Sequence, residues 1–272
     1  MSEQLPPTEQ PGPVDNLHGM SVAELLQAMH HVDDAVQPAV EKALPALEGL
    51  LEELVPRMKQ GGRLFYLGAG TSGRLGVVDA SECPPTFGVA PHVVVGLMAG
   101  GDAAIRAAVE GAEDDEGQGW LDLEAHDVNE HDTVVGIAAS GRTPYVLGAL
   151  RQARLRGILT GCITCNPDSA IVHACDHPVV AVTGPEFVTG STRMKAGTAT
   201  KLLLNRLTTA AMIQLGHVQG NRMVDMQLTN AKLVQRGARM VAEATGLDLV
   251  EAQVQLERHG SVRAAVDAHN IS

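Results

Sequence analysis

Five short apolar runs alternate along the chain with longer stretches that have the spacing of amphipathic helices. The apolar runs are residues 63–68, 92–98, 132–138, 157–164 and 177–182. They are rich in Val, Ile and Leu without strict alternation, which is typical of strands covered on both faces. Helical spacing lies between and after them, at about 72–80, 102–114, 143–156 and 192–216. This order predicts βαβ units and therefore a doubly wound parallel sheet with helices on both faces.

The chain before the first strand is predicted to be helical. Ser21 followed by Glu24 is a capping-box pattern, and apolar positions over 22–58 then recur at helical spacing. Residues 1–19 contain several prolines and glycines and predict a loosely ordered lead-in. Two or three packed helices are expected, because the helical stretch is interrupted by Pro38, Pro45 and Pro56.

The chain after the sheet also reads as helical. A helix is predicted over 227–245, and shorter helices follow to residue 272. The pattern therefore divides the chain into three regions. These are an N-terminal region that comprises an arm and helices (1–58), an α/β domain (59–220) and a C-terminal helical region (221–272).

Composition and charge exclude several function classes. Of the 272 residues, 44% are hydrophobic, which is enough for a sizeable core. Aromatic residues make up only 2%, and the net charge is −12, so neither nucleic acid nor an anionic membrane is an expected partner. The N-terminus lacks the basic and apolar regions of a signal peptide, and cysteine is sparse. These features predict a cytoplasmic protein.

Two strand-to-helix loops with similar chemistry carry the main functional signal. Gly-Ala-Gly-Thr-Ser-Gly occupies 68–73, and Ala-Ala-Ser-Gly-Arg-Thr-Pro occupies 138–144. Backbone N–H groups and hydroxyls at a helix N-terminus bind phosphate well, and ligands of open α/β sheets bind beyond the carboxyl ends of the strands. One small phosphorylated ligand is therefore predicted to lie between the loops. Its expected contacts are Gly70, Thr71, Ser72, Ser140, Gly141 and Thr143.

The first loop also matches the dinucleotide pattern G-x-G-x-x-G, at Gly68, Gly70 and Gly73. That pattern needs an acidic residue at the end of the next strand to bind the ribose. The next strand ends without one, and Asp102 appears only at the start of the following helix. A sugar phosphate is therefore favoured over a dinucleotide.

Two groups of carboxylates are candidates for acid–base chemistry. Glu82 stands just before Pro84 and Pro85, which are predicted to end the helix and fix the backbone. Glu110 and residues 113–116 form an acidic run. From the pattern alone, a surface position at a helix end is favoured for Glu82, and a solvated face is the default for the acidic run. Raised pKa values in the run would depend on crowding that the sequence does not specify.

The long helix near residue 192 begins with cations. Ser191 or Thr192 is expected to cap it, whereas Arg193 and Lys195 fall in its first turn, where the helix dipole disfavours positive charge. A pattern that opposes a local rule indicates function. We therefore expect Arg193 and Lys195 to face an anionic ligand, the alternative being that both extend into solvent.

No metal site is indicated by the sequence. Cys162 and Cys165 form C-x-x-C, but within or at the end of a strand, and no second cysteine pair completes a zinc site. They are predicted to be small core residues. The eleven histidines lack H-x-x-x-H spacing.

Several segments together resemble the N-acetylmuramic acid 6-phosphate etherases, which have the sugar isomerase (SIS) fold. The resemblance covers the chain from about residue 8 to its end, and its motifs are specific to this group. They are GAGTSGRLGVVDASECPPTFG at 68–88, AASGRTPYV at 138–146, TGSTRMKAGTATKLLLNRLTTAAMIQLG at 189–216 and NRMVDMQLTNAKLVQRG at 221–237. One departure is Pro11, which directly follows Gln10 where the family usually has Arg-Asn-Pro or similar.

The resemblance implies a five-stranded SIS domain over 59–220, a small C-terminal helical bundle, and cleavage of the D-lactyl ether of N-acetylmuramic acid 6-phosphate. By motif position, Glu82 would be the acid that protonates the departing lactyl oxygen, and Glu113 the base at C2. The two phosphate loops and Lys195 would bind the sugar phosphate. The resemblance further implies a homodimer with its site near the subunit interface, and a reaction without metal or redox cofactor.

Two alternatives use the same ligand class. An aldose–ketose isomerase would also need a base near C2, but the Ser-Glu-Cys-Pro-Pro-Thr-Phe-Gly segment at 81–88 argues against it. A non-catalytic sugar-phosphate sensor, as in the glucokinase regulatory proteins, would resemble two SIS domains in tandem. This chain has room for one, and it retains Glu82 and Glu113.

Overall fold

A parallel sheet of five strands forms the centre of the computed structural model, which describes residues 5–271. Each strand lies within one of the predicted apolar runs, so the predicted α/β class is confirmed. The strands are β1 (Leu64–Gly68), β2 (Val94–Met98), β3 (Thr133–Ile137), β4 (Leu159–Thr164) and β5 (His177–Val180). Their order in the sheet is β2-β1-β3-β4-β5.

Helices cover both faces of this sheet. Successive residues of a strand point to opposite faces, so Leu64 and Tyr66 join one core cluster while Phe65 and Leu67 join the other. The helices are α1 (Val22–Asp33), α2 (Val36–Lys59), α3 (Gly70–Phe87), α4 (Gly101–Arg106), α5 (Gln118–Glu124), α6 (Pro144–Leu155), α7 (Ala170–Ala174), α8 (Lys195–Gln214), α9 (Ala231–Thr245), α10 (Leu249–His259) and α11 (Val262–Ile271).

The order of the strands identifies where a ligand should bind. Helices α2, α3 and α8 pack on one face of the sheet, and α5, α6 and α7 pack on the other. The chain therefore leaves β1 toward one face and leaves β3 toward the opposite face. A crevice opens at the carboxyl ends of two neighbouring strands that diverge in this way. Both predicted phosphate loops begin at this crevice.

Helix α2 is longer than the sequence predicts. It runs without interruption over Pro45 and Pro56, although these prolines were expected to break it. Its buried stripe, which includes Leu47, Leu50 and Leu54, continues past Pro45. Burial of this stripe outweighs the hydrogen bonds that the prolines remove. The predicted capping box of α1 is confirmed, because Ser21 and Glu24 each accept the other's backbone N–H.

Helix α3 also continues past a predicted end. The sequence placed its end near residue 80, but the helix includes Pro84 and Pro85 and ends at Phe87. Both prolines lie in the last turn of the helix, and each removes one backbone N–H donor there. Gly88 adopts a left-handed conformation (φ +71°) and donates its N–H to Pro84 O at 2.9 Å, which closes the helix.

The helix predicted over 102–114 is mostly absent. Helix α4 ends at Arg106, and only a short 3₁₀ turn, Ala112–Asp114, follows. The reason is Arg74, whose Nε and Nη2 donate to Ile105 O and Ala104 O, each at 2.8 Å. Those carbonyl oxygens would be acceptors for the next helical turn. Residues 107–111 are therefore free to form an irregular segment along the end of the sheet.

The N-terminal lead-in is more ordered than its composition predicts. Thr8 is fully buried, and its backbone N–H donates to Asn166 Oδ1 at 3.2 Å. Asn166 Nδ2 in turn donates to Thr8 Oγ1 at 2.8 Å. Further along, Gly12 N donates to Thr189 Oγ1 at 2.9 Å. These contacts fix residues 5–13, which we call the N-terminal arm, against the loops that follow β4 and β5.

The C-terminal region has a core cluster of its own, built from α9, α10 and α11. A short antiparallel hairpin that the sequence did not predict precedes it, formed by β6 (Val218–Gln219) and β7 (Arg222–Met223). The region packs against the end of α3, where Gln227 N donates to Pro85 O at 3.2 Å. Within the described residues, no helix combines the length and apolar character needed to cross a bilayer.

Candidate active site

The first phosphate loop begins at the end of β1, and its glycines allow close packing. A Cβ on Gly73 would lie 2.6 Å from Met98 Cβ and 2.7 Å from Gly68 O, so no larger residue fits there. Gly70 and Thr71 are exposed and Ser72 is half-buried in the first turn of α3. Their N–H groups and hydroxyls are therefore available to an anion at the helix N-terminus.

The second phosphate loop begins beside the first, because Gly68 and Ile137 are partners in the β1–β3 register. Gly141 has a φ of +68°, and a Cβ there would lie 2.1 Å from Ser169 Oγ. Only glycine suits both the backbone conformation and the space. Ser140 and Thr143 are half-buried, and Thr143 immediately precedes α6. The structure therefore brings hydroxyls from both loops to the β1–β3 crevice.

A cavity of about 180 Å³ adjoins the first loop and contains one of the predicted catalytic residues. Its walls include Gly70, Arg74, Glu110 and Glu113. The irregular segment after α4 carries Glu110, and the 3₁₀ turn that follows carries Glu113, to the carboxyl end of the sheet. Glu113 is exposed, with its side chain available to a ligand bound at the crevice.

The acidic run has different roles along its length. Asp115 Oδ1 accepts the N–H groups of Gly117 and Gln118 at 2.9 and 3.1 Å, and Glu116 forms an ion pair with Arg151. These two carboxylates have structural partners. Glu113 has none among the described residues and lies at the cavity, which the sequence alone did not distinguish.

Glu82 lies far from this cavity within one chain. It is an exposed residue of α3, twelve positions after Gly70. At the rise of an α-helix, its Cα is about 18 Å from that of Gly70. The C-terminal region is close to Glu82 in the structure, since Pro85, one turn further along, accepts the Gln227 N–H. A single chain therefore does not place Glu82 and Gly70 around one sugar.

The start of α8 is organised by Glu186, a residue that sequence reasoning missed. Its side chain is fully buried, and its carboxylate accepts Lys195 N at 3.0 Å and Ala196 N at 2.9 Å. It therefore caps α8 in place of the expected Ser191 or Thr192. One sequence feature could have identified Glu186. It is a single acidic residue in the otherwise uncharged segment 184–188, nine positions before the helix.

The cations at this helix start are placed differently from one another. Lys195 is buried and donates from Nζ to Thr183 O at 2.9 Å, whereas Arg193 is exposed. Desolvation lowers the pKa of Lys195, although the charges of Glu186 and Asp33 oppose that shift. Lys195 is not part of the cavity that holds Glu113.

The helix start lies close to the first phosphate loop. A Cβ on Gly197 would be 3.8 Å from Thr71 Cγ2, so the first turn of α8 approaches the first turn of α3. Lys195 precedes Gly197 by two residues in that turn.

The cysteines are core residues, as the sequence predicted. Cys162 and Cys165 are both buried, and burial raises the pKa of Cys165 to about 12. In the part of the chain that the structure describes, no group of three or more His, Cys, Asp or Glu side chains is arranged to hold a metal ion.

Comparison with known proteins decides the family. The profile of the glucokinase regulatory protein N-terminal SIS domain matches residues 46–154, and that of the SIS domain matches residues 119–210. An N-acetylmuramic acid 6-phosphate etherase of Christiangramia forsetii is 55% identical over 99% of this chain and 98% of its own length. The chain belongs to the N-acetylmuramic acid 6-phosphate etherase family. A Bacteroides fragilis etherase is 56% identical over 96% of this chain and 93% of its own length.

Solved structures support the fold of this etherase-family chain. An Escherichia coli CFT073 protein, solved as a ligand complex, superposes with a TM-score of 0.53 at 16% identity, over 74% of this chain and 97% of that protein. A phosphoheptose isomerase from Francisella tularensis gives 0.52 at 19% identity, over 72% of this chain and all of the isomerase. The SIS architecture expected from the sequence is therefore confirmed.

Proposed function

We propose that the chain is a carbon–oxygen lyase that cleaves the D-lactyl ether of N-acetylmuramic acid 6-phosphate, giving N-acetylglucosamine 6-phosphate and D-lactate. Identity of 55–56% to etherases over nearly the whole chain carries this proposal. Release of D-lactate from the purified protein and N-acetylmuramic acid 6-phosphate tests it. No release at any substrate concentration would refute it.

The chemistry is an elimination followed by hydration. Opening of the sugar ring exposes the C1 aldehyde, which acidifies the proton on C2. Glu113 removes this proton, and Glu82 protonates the lactyl oxygen as the C3–O bond breaks. Water then adds across the C2–C3 double bond, so that C3 gains a hydroxyl group and C2 regains a proton. One carboxylate acts as a base and the other as an acid, so the scheme uses no metal or redox cofactor.

The phosphate is held mainly by neutral donors at the β1–β3 crevice. Backbone N–H groups of both loops and the hydroxyls of Thr71, Ser72, Ser140 and Thr143 surround the place where it would lie. Gly70 and Gly141 leave room for the phosphate to approach the backbone. Lys195 adds a positive charge in the first turn of α8, close to the Thr71 loop.

Replacing Ser72 and Thr143 with Ala is expected to raise the Michaelis constant with little change in kcat. Each substitution removes a hydrogen bond to a charged phosphate, which contributes about 1.5–3 kcal/mol. Steady-state kinetics of the single and double variants measure the effect. Ser81→Ala, an exposed serine on the same helix, is the matched control. A double variant with the wild-type Michaelis constant would place the phosphate elsewhere.

The separation of Glu82 from Gly70 supports a homodimer with shared sites. One chain would provide the two phosphate loops and Glu113, and the other would provide Glu82 from the distant part of α3. Two-fold symmetry would then create two equivalent sites.

Subunit mixing tests this arrangement. Glu82→Gln and Glu113→Gln should each be inactive alone. After refolding together, random pairing in a two-fold dimer should restore about one quarter of wild-type activity, because each heterodimer has one site with both glutamates. Refolded single variants are the control. If Glu82 and Glu113 act from the same chain, the mixture stays inactive.

The two alternatives predict no release of lactate. The proteins in the structural comparison share only 16–19% identity with this chain, which supports the fold but not the reaction. A sensor would bind the sugar phosphate without turnover. The proposed reaction is a step in cytoplasmic recycling of cell-wall amino sugars.

A further inference from the structure

A second, larger cavity lies in the C-terminal region and has a cationic wall. Its volume is about 500 Å³, between the β6–β7 hairpin and one face of α9. Lys232, Arg236 and Arg239 line it at helical positions i, i+4 and i+7. Three cations therefore project from a single helix face of a protein whose net charge is −12.

These three cations form no ion pair with any residue that the structure describes. Arg222 and Glu243, which also line the cavity, pair with each other. Among the described residues, no carboxylate lies within ion-pair distance of Lys232, Arg236 or Arg239. Like charges at this spacing destabilise an isolated helix. An uncompensated row of cations around a cavity indicates that an anion from outside the chain belongs there.

The segment that joins the hairpin to α9 packs against the part of α3 that carries Glu82. Gln227, five residues before Lys232, donates its N–H to Pro85 O, three residues after Glu82. The backbones are also in contact at Gly88, where a Cβ would lie 1.9 Å from Asp225 O. Helix α9 begins at Ala231, and its N-cap residue Asn230 accepts Leu233 N through Oδ1.

The substrate of the proposed function carries two anionic groups, and each requires its own binding partners. Its phosphate is matched by the neutral donors of the two loops. Its lactyl carboxylate finds no such partner at the first cavity, where Glu110 and Glu113 would repel it. Two donor groups of Arg74 are already bonded to Ala104 O and Ile105 O. Only one carbon separates this carboxylate from the ether oxygen that Glu82 protonates, so it must lie on the Glu82 side of the site.

We propose that Lys232 and Arg236 bind the lactyl carboxylate of the substrate and thereby select substrates that carry it. This inference rests on the proposed function and its shared site. The planar guanidinium of Arg236 suits bidentate binding of a carboxylate. Lys232 lies in the first turn of α9, where the positive end of the helix dipole adds to the attraction of an anion.

Paired substrates test the proposal. Wild type, Lys232→Gln and Arg236→Gln are compared on N-acetylmuramic acid 6-phosphate and on its analogue with a lactyl carboxamide. Loss of a charged hydrogen bond should lower kcat/KM for the acid about ten- to a hundredfold in each variant. The carboxamide should react at a similar rate with all three proteins, which also shows that the variants fold. The matched control is Arg258→Gln, an exposed cation of α10 outside the cavity.

Other results of these measurements would contradict either the proposal or the proposed function. Equal losses on both substrates, or no loss on either, would overturn the proposal. Inhibition by the product N-acetylglucosamine 6-phosphate, which has the phosphate but no lactyl group, should be unchanged in the variants. A higher inhibition constant for this product in Arg236→Gln would assign the cavity to the phosphate instead, and that result would also overturn the proposal. A wild type that releases no lactate would refute the proposed function itself, and that result is distinguishable from all of these.

Discussion

Glu82→Gln is expected to lose lactate release by at least about 10²–10⁴-fold, the usual contribution of a general acid, while substrate still binds. The lactyl alkoxide is a poor leaving group, so its oxygen must receive a proton as the C–O bond breaks. Gln keeps the shape of the side chain and a hydrogen bond but cannot supply that proton. Exchange of the C2 proton with solvent should persist, because Glu113 still provides a base. Lactate assays and NMR in deuterium oxide measure the two steps separately.

Glu113→Gln should lose both lactate release and C2 exchange, because the proton is never removed. Asp114→Asn is the matched control, since it changes the neighbouring carboxylate, which does not line the cavity. The opposite pattern, with exchange lost in Glu82→Gln and retained in Glu113→Gln, would reverse the two roles. Full activity in both variants would move the catalytic site elsewhere.

Glu186→Ala is expected to lower the free energy of unfolding by about 3–5 kcal/mol, which is the cost of removing one partner of a buried charged interaction. Glu186 is fully buried and accepts the first two N–H groups of α8. Its removal leaves these donors without an acceptor. It also removes the negative charge that partly offsets the desolvation of the Lys195 ammonium group. Urea denaturation with an unchanged m-value would report this loss as a lower midpoint.

The same variant should weaken substrate binding if it remains folded, because the first turn of α8 lies beside Thr71. The matched control is Glu130→Ala, which removes an exposed loop carboxylate and should shift stability by less than about 0.5 kcal/mol. If Glu186→Ala unfolds at the urea concentration of the wild type, the buried cap contributes nothing to stability.

The sheet was predictable from the sequence because its physical signal is local. Strands covered on both faces must be apolar throughout, and each predicted run contains one observed strand. Short hydroxyl-rich loops at the ends of two such strands also locate the crevice, since the carboxyl ends of parallel strands share one edge. The sequence alone therefore places Gly70 and Gly141 in the same region.

The errors arise where distant contacts override local preference. Burial of an apolar stripe carries α2 over two prolines, and Arg74 removes the acceptors that would have extended α4. The cap of α8 comes from Glu186, nine residues upstream, whereas capping rules consider adjacent positions. The relation between Glu82 and Glu113 is similarly beyond local pattern, because it depends on how far α3 extends and, in the proposed homodimer, on a second subunit.

The N-terminal arm has a consequence for the order in which the protein is completed during synthesis. Its Thr8 leaves the ribosome early, but the Asn166 side chain that it binds is 158 residues further along. The arm must therefore wait until β4 has been made, and its docking closes a very long loop. Until then, Asn166 and the loops after β4 and β5 lack their contacts with residues 5–13. The arm can therefore stabilise the carboxyl edge of the sheet only after the chain has been synthesised at least as far as Asn166.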